Sequence, residues 1–149
     1  MAVSRIHHVG ITVSDVESSL RFYRDLLGMR VLDDTRLTRS EIAALLGTDE
    51  IDVRIVNLDT RDGRILELLE YAKPAGHRLD YTSRDSGSAH VALQVDDLDR
   101  IRAEISAAGG SEISHHPVTA QDSEGIFAGA RLLYVRDPDG MILELVQRP

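Results

Sequence analysis

DGRILELLE, Asp62–Glu70, returns almost intact as DGMILELVQ, Asp139–Gln147. Six of the nine positions are identical, and a glutamate holds the same place in each copy, Glu67 and Glu144. A second pair of segments repeats with them. HVGITVSD at His8–Asp15 matches HVALQVDD at His90–Asp97, setting His8 against His90 and Asp15 against Asp97. The offsets, 77 and 82 residues, are close enough to describe one event, a tandem duplication. Each copy opens on a histidine strand and closes on a glutamate strand. Internal pseudo-symmetry would bring two histidines and two carboxylates together, and imidazole plus carboxylate is a donor set for a divalent metal ion.

Working outward, each copy reads as β-α-β-β-β. Ile6–Val13 alternates as a strand does, and Asp15–Leu27 has the helical stripe Val16, Leu20, Tyr23, Leu27, with Ser14 or Asp15 as its cap and Gly28 as its stop. Met29–Asp34, Asp52–Leu58 and Arg64–Tyr71 read as strands, the last two joined by a turn ending in Asp62-Gly63. SEIAALLG, Ser40–Gly47, is a short extra helix inserted in the first copy only. It is expected to wall a cavity with Ile42, Leu45 and Leu46. Residues 72–88, rich in proline, glycine and serine, read as a connector. The second copy then runs through the strand Ser88–Val95, the helix Asp97–Ala108 with Gly110 where Gly28 fell, and a short strand Glu112–His115. A polar loop His116–Gly125 and the strands Ala128–Val135 and Met141–Gln147 complete it, the two strands joined by DPDG at Asp137–Gly140. The expected organisation is one domain over 1–149, with module one at about 4–71 and module two at about 88–148.

Composition narrows the function. The 149 residues carry a net charge of −8 and no basic stripe, which argues against nucleic acid as a partner. Cysteine is absent, so disulfides, thiolate nucleophiles and thiolate metal sites are all excluded, leaving histidine and carboxylate as the strong ligands. MAVSRIHHV lacks the apolar core of a secretion signal, and no run approaches the roughly 20 apolar residues that span a bilayer. The expectation is a cytoplasmic protein with no membrane partner.

Strand parity selects the candidate ligands. A helix covers the apolar side of each strand: Val9, Ile11, Val13 and Val91, Leu93, Val95 in the opening strands, Leu66, Leu68 and Leu143, Leu145 in the closing ones. The other face then carries His8, Gly10, Thr12; Ile65, Glu67, Leu69; His90, Ala92, Gln94; and Ile142, Glu144, Val146. A single strand histidine is ordinarily structural, and a single glutamate ordinarily faces water. Four such residues sharing parity and related by duplication are a pattern. Carboxylates placed on one sheet face are costly to bury without a cation.

The segments HHVGITVSDVESSLRFYRDLLGM, ILELLE, SAHVALQVDD and DPDGMILELV resemble the vicinal oxygen chelate superfamily, which includes glyoxalase I, methylmalonyl-CoA epimerase, extradiol dioxygenases, fosfomycin-resistance enzymes and bleomycin-binding proteins. The resemblance spans nearly the whole chain except the insertion and the connector. It implies an α+β fold: two tandem βαβββ modules forming a curved eight-stranded mixed sheet around a metal cavity. By motif position it places His8, Glu67, His90 and Glu144 on the family's metal-ligand positions, and leaves His7, of the wrong parity, as structural.

The resemblance further implies a divalent-metal-dependent isomerase or lyase, the ion being Ni, Co, Zn, Mn or Fe. Its substrate would be a small molecule with adjacent oxygens, and proton removal would pass through a metal-stabilised enediolate. Glu144 is the first choice of catalytic base and Glu67 the second. Arg54 and Arg131, at matching places on the third strand of each copy, are candidates to grip an anionic substrate. His115, His116, Ser123 and Glu124 lie on or beside a candidate lid. An iron-dependent extradiol dioxygenase would need only His8, His90 and Glu144. A non-catalytic binding or antibiotic-resistance protein would need none of the four. Open sheets leave edges that proteins pair or cover, and a homodimer is expected.

Overall fold

The structure, a computed structural model, describes residues 3–80, 82–121 and 125–149. It contains two compact units, one ending at Arg78 and the other starting at Leu79. Each unit holds a mixed sheet with a helix on it, and both run strand, helix, then further strands, the first interrupted by a helical insertion and the second with its edge strand in two pieces.

In the first unit β1 (His8–Thr12) lies parallel to β4 (Ile65–Lys73), followed across the sheet by β3 (Asp52–Asp59) and β2 (Arg30–Leu37), both in antiparallel register. A helix joins β1 to β2. It begins as α1 (Val16–Leu20) and continues as a π-helical segment, Arg21–Leu26. The wider turn changes which residues face inward. The expected stripe ended on Leu27, but Phe22, Tyr23 and Leu26 are the buried residues, and Phe22 and Tyr23 meet edge to face. Val16, Leu20, Ile11, Val13, Val56, Leu58, Leu66 and Leu68 of the same unit are buried as well. Gly28 takes the left-handed backbone (φ 75°) that ends the helix, as expected of a glycine stop.

The insertion forms α2 (Ser40–Ala43) and a 3₁₀ turn, Ala44–Leu46, closed by Gly47 at φ 66°. It lies against the sheet, where Ala43 joins Ile51 and Val53, with Leu37, Ile42, Ile55, Leu69 and Tyr71 partly buried around them. Of the expected wall Ile42, Leu45 and Leu46, only Ile42 packs against the sheet, beside Ala43. Leu45 and Leu46 face outward, Leu45 being 80% exposed.

In the second unit β5 (His90–Gln94) is parallel to β9 (Ile142–Gln147), which pairs antiparallel with β8 (Arg131–Arg136). α3 (Leu98–Glu104) buries Leu98 and Ile101, with Ile105 just beyond it, while the sheet buries Leu133, Val135, Leu143 and Leu145. The helix stop falls one residue earlier than expected. Gly109, not Gly110, has the positive φ of 87°. The edge strand comes in two pieces, β6 (Ser111–Glu112) and β7 (Val118–Thr119), both paired with β8. β7 sits inside the stretch expected to be loop. Of the candidate lid residues, Ser123 and Glu124 lie outside the described residues.

The two helices are anchored in the same way. Asp15 and Asp97 cap their N-termini through Ser18 N–H (2.5 Å) and Arg100 N–H (2.9 Å). A polar side chain on each closing strand accepts a further helix-start donor. Glu70 receives Val16 N–H at 3.0 Å and Gln147 receives Leu98 N–H at 3.0 Å. These bonds satisfy donors that a helix start otherwise leaves open. No described helix is long and apolar enough to cross a membrane.

Candidate functional site

Register decides which side chains meet. In the first unit His8 stands beside Ile65 and Gly10 beside Glu67, so His8 and Glu67 share a face, one step apart on neighbouring strands. In the second, His90 stands beside Ile142 and Ala92 beside Glu144. The arrangement is the same in both units and lies on the face opposite α1 and α3, as strand alternation requires.

Position 10, beside Glu67, is glycine. A Cβ there would come within 3.2 Å of Leu69 Cδ1 and 3.6 Å of Glu67 Oε2. The carboxylate thus leans over bare backbone, and Oε2 comes to 3.8 Å from His8 Nε2. His8 turns its other ring nitrogen, Nδ1, toward Nδ1 of His7 at 2.9 Å, with the rings edge to face. His7, just before β1, therefore braces its neighbour. Tyr71, two strand steps beyond Glu67 on the same sheet, has its phenol pushed above the usual value, mainly by burial and then by the charge of Glu67.

The second pair is tighter and more enclosed. His90 Nε2 is 3.3 Å from Glu144 Oε2, and the Glu144 side chain is 8% exposed against 19% for Glu67. A residue that strand reading had passed over completes it. Tyr134 stands directly opposite Glu144 on β8. Its hydroxyl is 3.4 Å from His90 Nε2, and its ring meets the imidazole edge to face at 5.4 Å. Burial raises its phenol above the usual value, and the charge of Glu144 and a hydrogen bond to that carboxylate add to the effect. Its parity on the strand before Glu144 was the available signal.

Both histidines are about two-fifths exposed, so their Nε2 atoms are within reach of solvent and solute. Nitrogen and carboxylate oxygen, side by side and partly exposed, are donors that suit a divalent ion. Among the described residues, no three or more histidine or acidic side chains are grouped so as to hold a metal ion.

The two arginines fall elsewhere. Arg54 stands opposite Glu70, whose side chain caps α1, so Arg54 is on the helix side of its sheet. It grips Asp34 through two bonds, 3.0 and 2.6 Å, and Glu17 of α1 at 2.9 Å. Arg131, opposite Gln147, likewise holds Asp99 of α3 through two bonds of 2.8 Å. Their role as substrate clamps is corrected by this placement. Each ties the third strand of its unit to the first turn of its helix. The guanidiniums hold Asp34 and Asp99 below the usual carboxylate range, through hydrogen bonding first and charge second.

Comparison with known proteins agrees with this architecture. The chain belongs to the Glyoxalase/Bleomycin resistance protein/Dioxygenase superfamily, whose family model matches residues 5–145. It is 31% identical to a 2-epi-5-epi-valiolone epimerase of Actinomyces sp., over 97% of this chain and 79% of that protein. It is 29% identical to a probable lactoylglutathione lyase of Vibrio parahaemolyticus, over 99% of this chain and 93% of that protein. Among solved structures, a glyoxalase family protein from Bacillus cereus superposes with a TM-score of 0.84 at 22% identity, over 99% of this chain and 97% of that one.

Proposed function

We propose that this protein is a divalent-metal-dependent isomerase or lyase acting on a small molecule with two neighbouring oxygens, with His8, Glu67, His90 and Glu144 as the metal ligands. The observation that carries the reading is the duplicated pair. A histidine Nε2 lies 3.8 Å from a glutamate oxygen in one unit and 3.3 Å from one in the other, at equivalent registers. Two relatives lend support by their names, one an epimerase and the other a lyase.

An ion of the Ni, Co, Zn, Mn or Fe class, when bound, supplies a Lewis acid that polarises a substrate carbonyl. The chain's own residues do the rest. His8 and His90 offer Nε2 donors, and the Nδ1 contact with His7 helps set the tautomer of His8. Glu144, nearly enclosed and next to a phenol, is the first candidate to take the proton from the carbon beside the carbonyl; Glu67 is the second. A homodimer and a cytoplasmic location belong to the same reading. So does the assignment of the two units to one functional domain.

The test is metal analysis of freshly purified protein, then calorimetric titration of the metal-free form with Ni, Co, Zn, Mn and Fe. Expected is a divalent ion bound at micromolar concentration or tighter, lost in the His8→Ala and His90→Ala variants. Solvent deuterium should then exchange into an α-hydroxy ketone or hemithioacetal substrate. Pure protein that takes up none of these ions at micromolar concentration would sink the proposal.

A further inference from the structure

Tyr134 contacts the second histidine–glutamate pair, whereas its counterpart in the other unit makes its hydrogen bond elsewhere. Register makes Asn57 that counterpart, since Asn57 stands opposite Glu67 as Tyr134 stands opposite Glu144. Asn57 turns away and donates its amide to Asp33 at 3.0 Å. Tyr134 turns inward.

We propose that Tyr134 is a substrate-contacting catalytic residue, whose hydroxyl donates a hydrogen bond to a ligand oxygen held at the His90–Glu144 pair. The inference rests on the metal-dependent reading above and deepens it.

The phenol is held firmly. Its ring meets the His90 ring edge to face, at 63°. Its backbone is tied at the break between β6 and β7, where Ser114 Oγ receives Tyr134 N–H at 3.0 Å. The Tyr134 carbonyl in turn accepts Ile113 N–H and Ser114 N–H at 2.9 and 3.1 Å. The ordered strand therefore fixes where the hydroxyl lies although the edge beside it is interrupted.

The hydroxyl lies beside both members of the pair, 3.4 Å from His90 Nε2 and hydrogen-bonded to the Glu144 carboxylate. Once Nε2 of His90 and an oxygen of Glu144 are engaged as donors to a cation, they are weaker partners for the phenol. The O–H then points at whatever oxygen the substrate brings beside them. As the proton leaves the neighbouring carbon, negative charge gathers on that oxygen. A fixed donor aimed at developing charge stabilises the transition state without reorganising. No bond to Tyr134 is made or broken.

The probe is acetohydroxamate, a small chelator with two neighbouring oxygens, titrated into zinc-loaded protein by calorimetry. Zinc alone is titrated first into wild type, Tyr134→Phe and Tyr134→Leu. Expected is a zinc affinity within about twofold across all three, as for a group that is not a ligand, and a loss of acetohydroxamate affinity of about tenfold or more in both variants. The metal-free Tyr134→Phe protein should melt within a few degrees of wild type. Equal acetohydroxamate affinity in wild type and both variants would overturn the contact. Zinc affinity falling tenfold in step with acetohydroxamate affinity would overturn it too, because Tyr134 would then act through the ligands. Wild type that binds zinc and acetohydroxamate while Tyr134→Phe matches it isolates the failure to this inference. Wild type that binds no zinc removes both the inference and the metal-dependent function beneath it.

Discussion

The two units share a frame and differ at the site. In the frame, the caps Asp15 and Asp97, the strand-end acceptors Glu70 and Gln147, and the strand-to-helix ties Arg54 and Arg131 all occur in both copies. At the site, the first unit has an open pair, with Glu67 leaning over Gly10, Asn57 turned away and a helical insertion packed beside Leu69 and Tyr71. The second has an enclosed pair with a tyrosine pressed against it and a broken edge strand beside it. Duplication preserved what sets strand register and helix position. Single residues on the face opposite the helices diverged.

The sharpest way to break the comparison is to remove one carboxylate at a time. If both pairs serve the ion, Glu67→Ala and Glu144→Ala each lower metal affinity by more than the roughly 10–100-fold cost of losing an outer-shell partner, and both abolish turnover. Calorimetry and a deuterium-exchange assay read this. A Glu67→Ala protein with undiminished affinity and activity would make the open pair dispensable and favour a three-ligand site.

The frame should be symmetric where the site is not. Leu68→Ala and Leu145→Ala remove equivalent, fully buried side chains and should each cost about 2–5 kcal/mol in urea unfolding. A much smaller cost in one unit would show that its core tolerates the vacancy by collapsing. Next in size, Gly10→Val places carbon where Leu69 and Glu67 now lean. It should weaken metal binding by about tenfold or more, as loss of orientation at a ligand does, while Ala92→Val, its counterpart, sharpens the question of whether the enclosed pair depends on the same clearance. The caps come after that: Asp15→Ala and Asp97→Ala should each lower stability by about 1 kcal/mol.

The smallest effect is on the acid side. Asp34 is held below the ordinary carboxylate range by Arg54, so its folded value lies under its unfolded value of about 4. The stability this contributes is present above the unfolded value and is lost as pH falls through the folded one. Arg54→Ala should therefore flatten the acid limb of the stability curve slightly, read as melting temperature between about pH 2 and pH 5. At neutral pH and high salt its effect should shrink further, as for an exposed ion pair.

Much of this was legible in the chain. The repeat of HVGITVSD with HVALQVDD and of DGRILELLE with DGMILELVQ names two copies, and alternation along each strand assigns His8, Glu67, His90 and Glu144 to one face. Both facts are local: a repeat is a comparison of letters, and parity comes from a two-residue period. The caps at Asp15 and Asp97 were legible for the same reason, since a cap joins residues only three apart. What tertiary structure decided is everything that depends on register between strands, which no local period contains, and on which a one-residue slip reverses every face. It put Arg54 and Arg131 on the helix side as ties, moved the inward stripe of the first helix through a π-helical turn, and set Asn57 and Tyr134 at equivalent places while turning only one toward its glutamate.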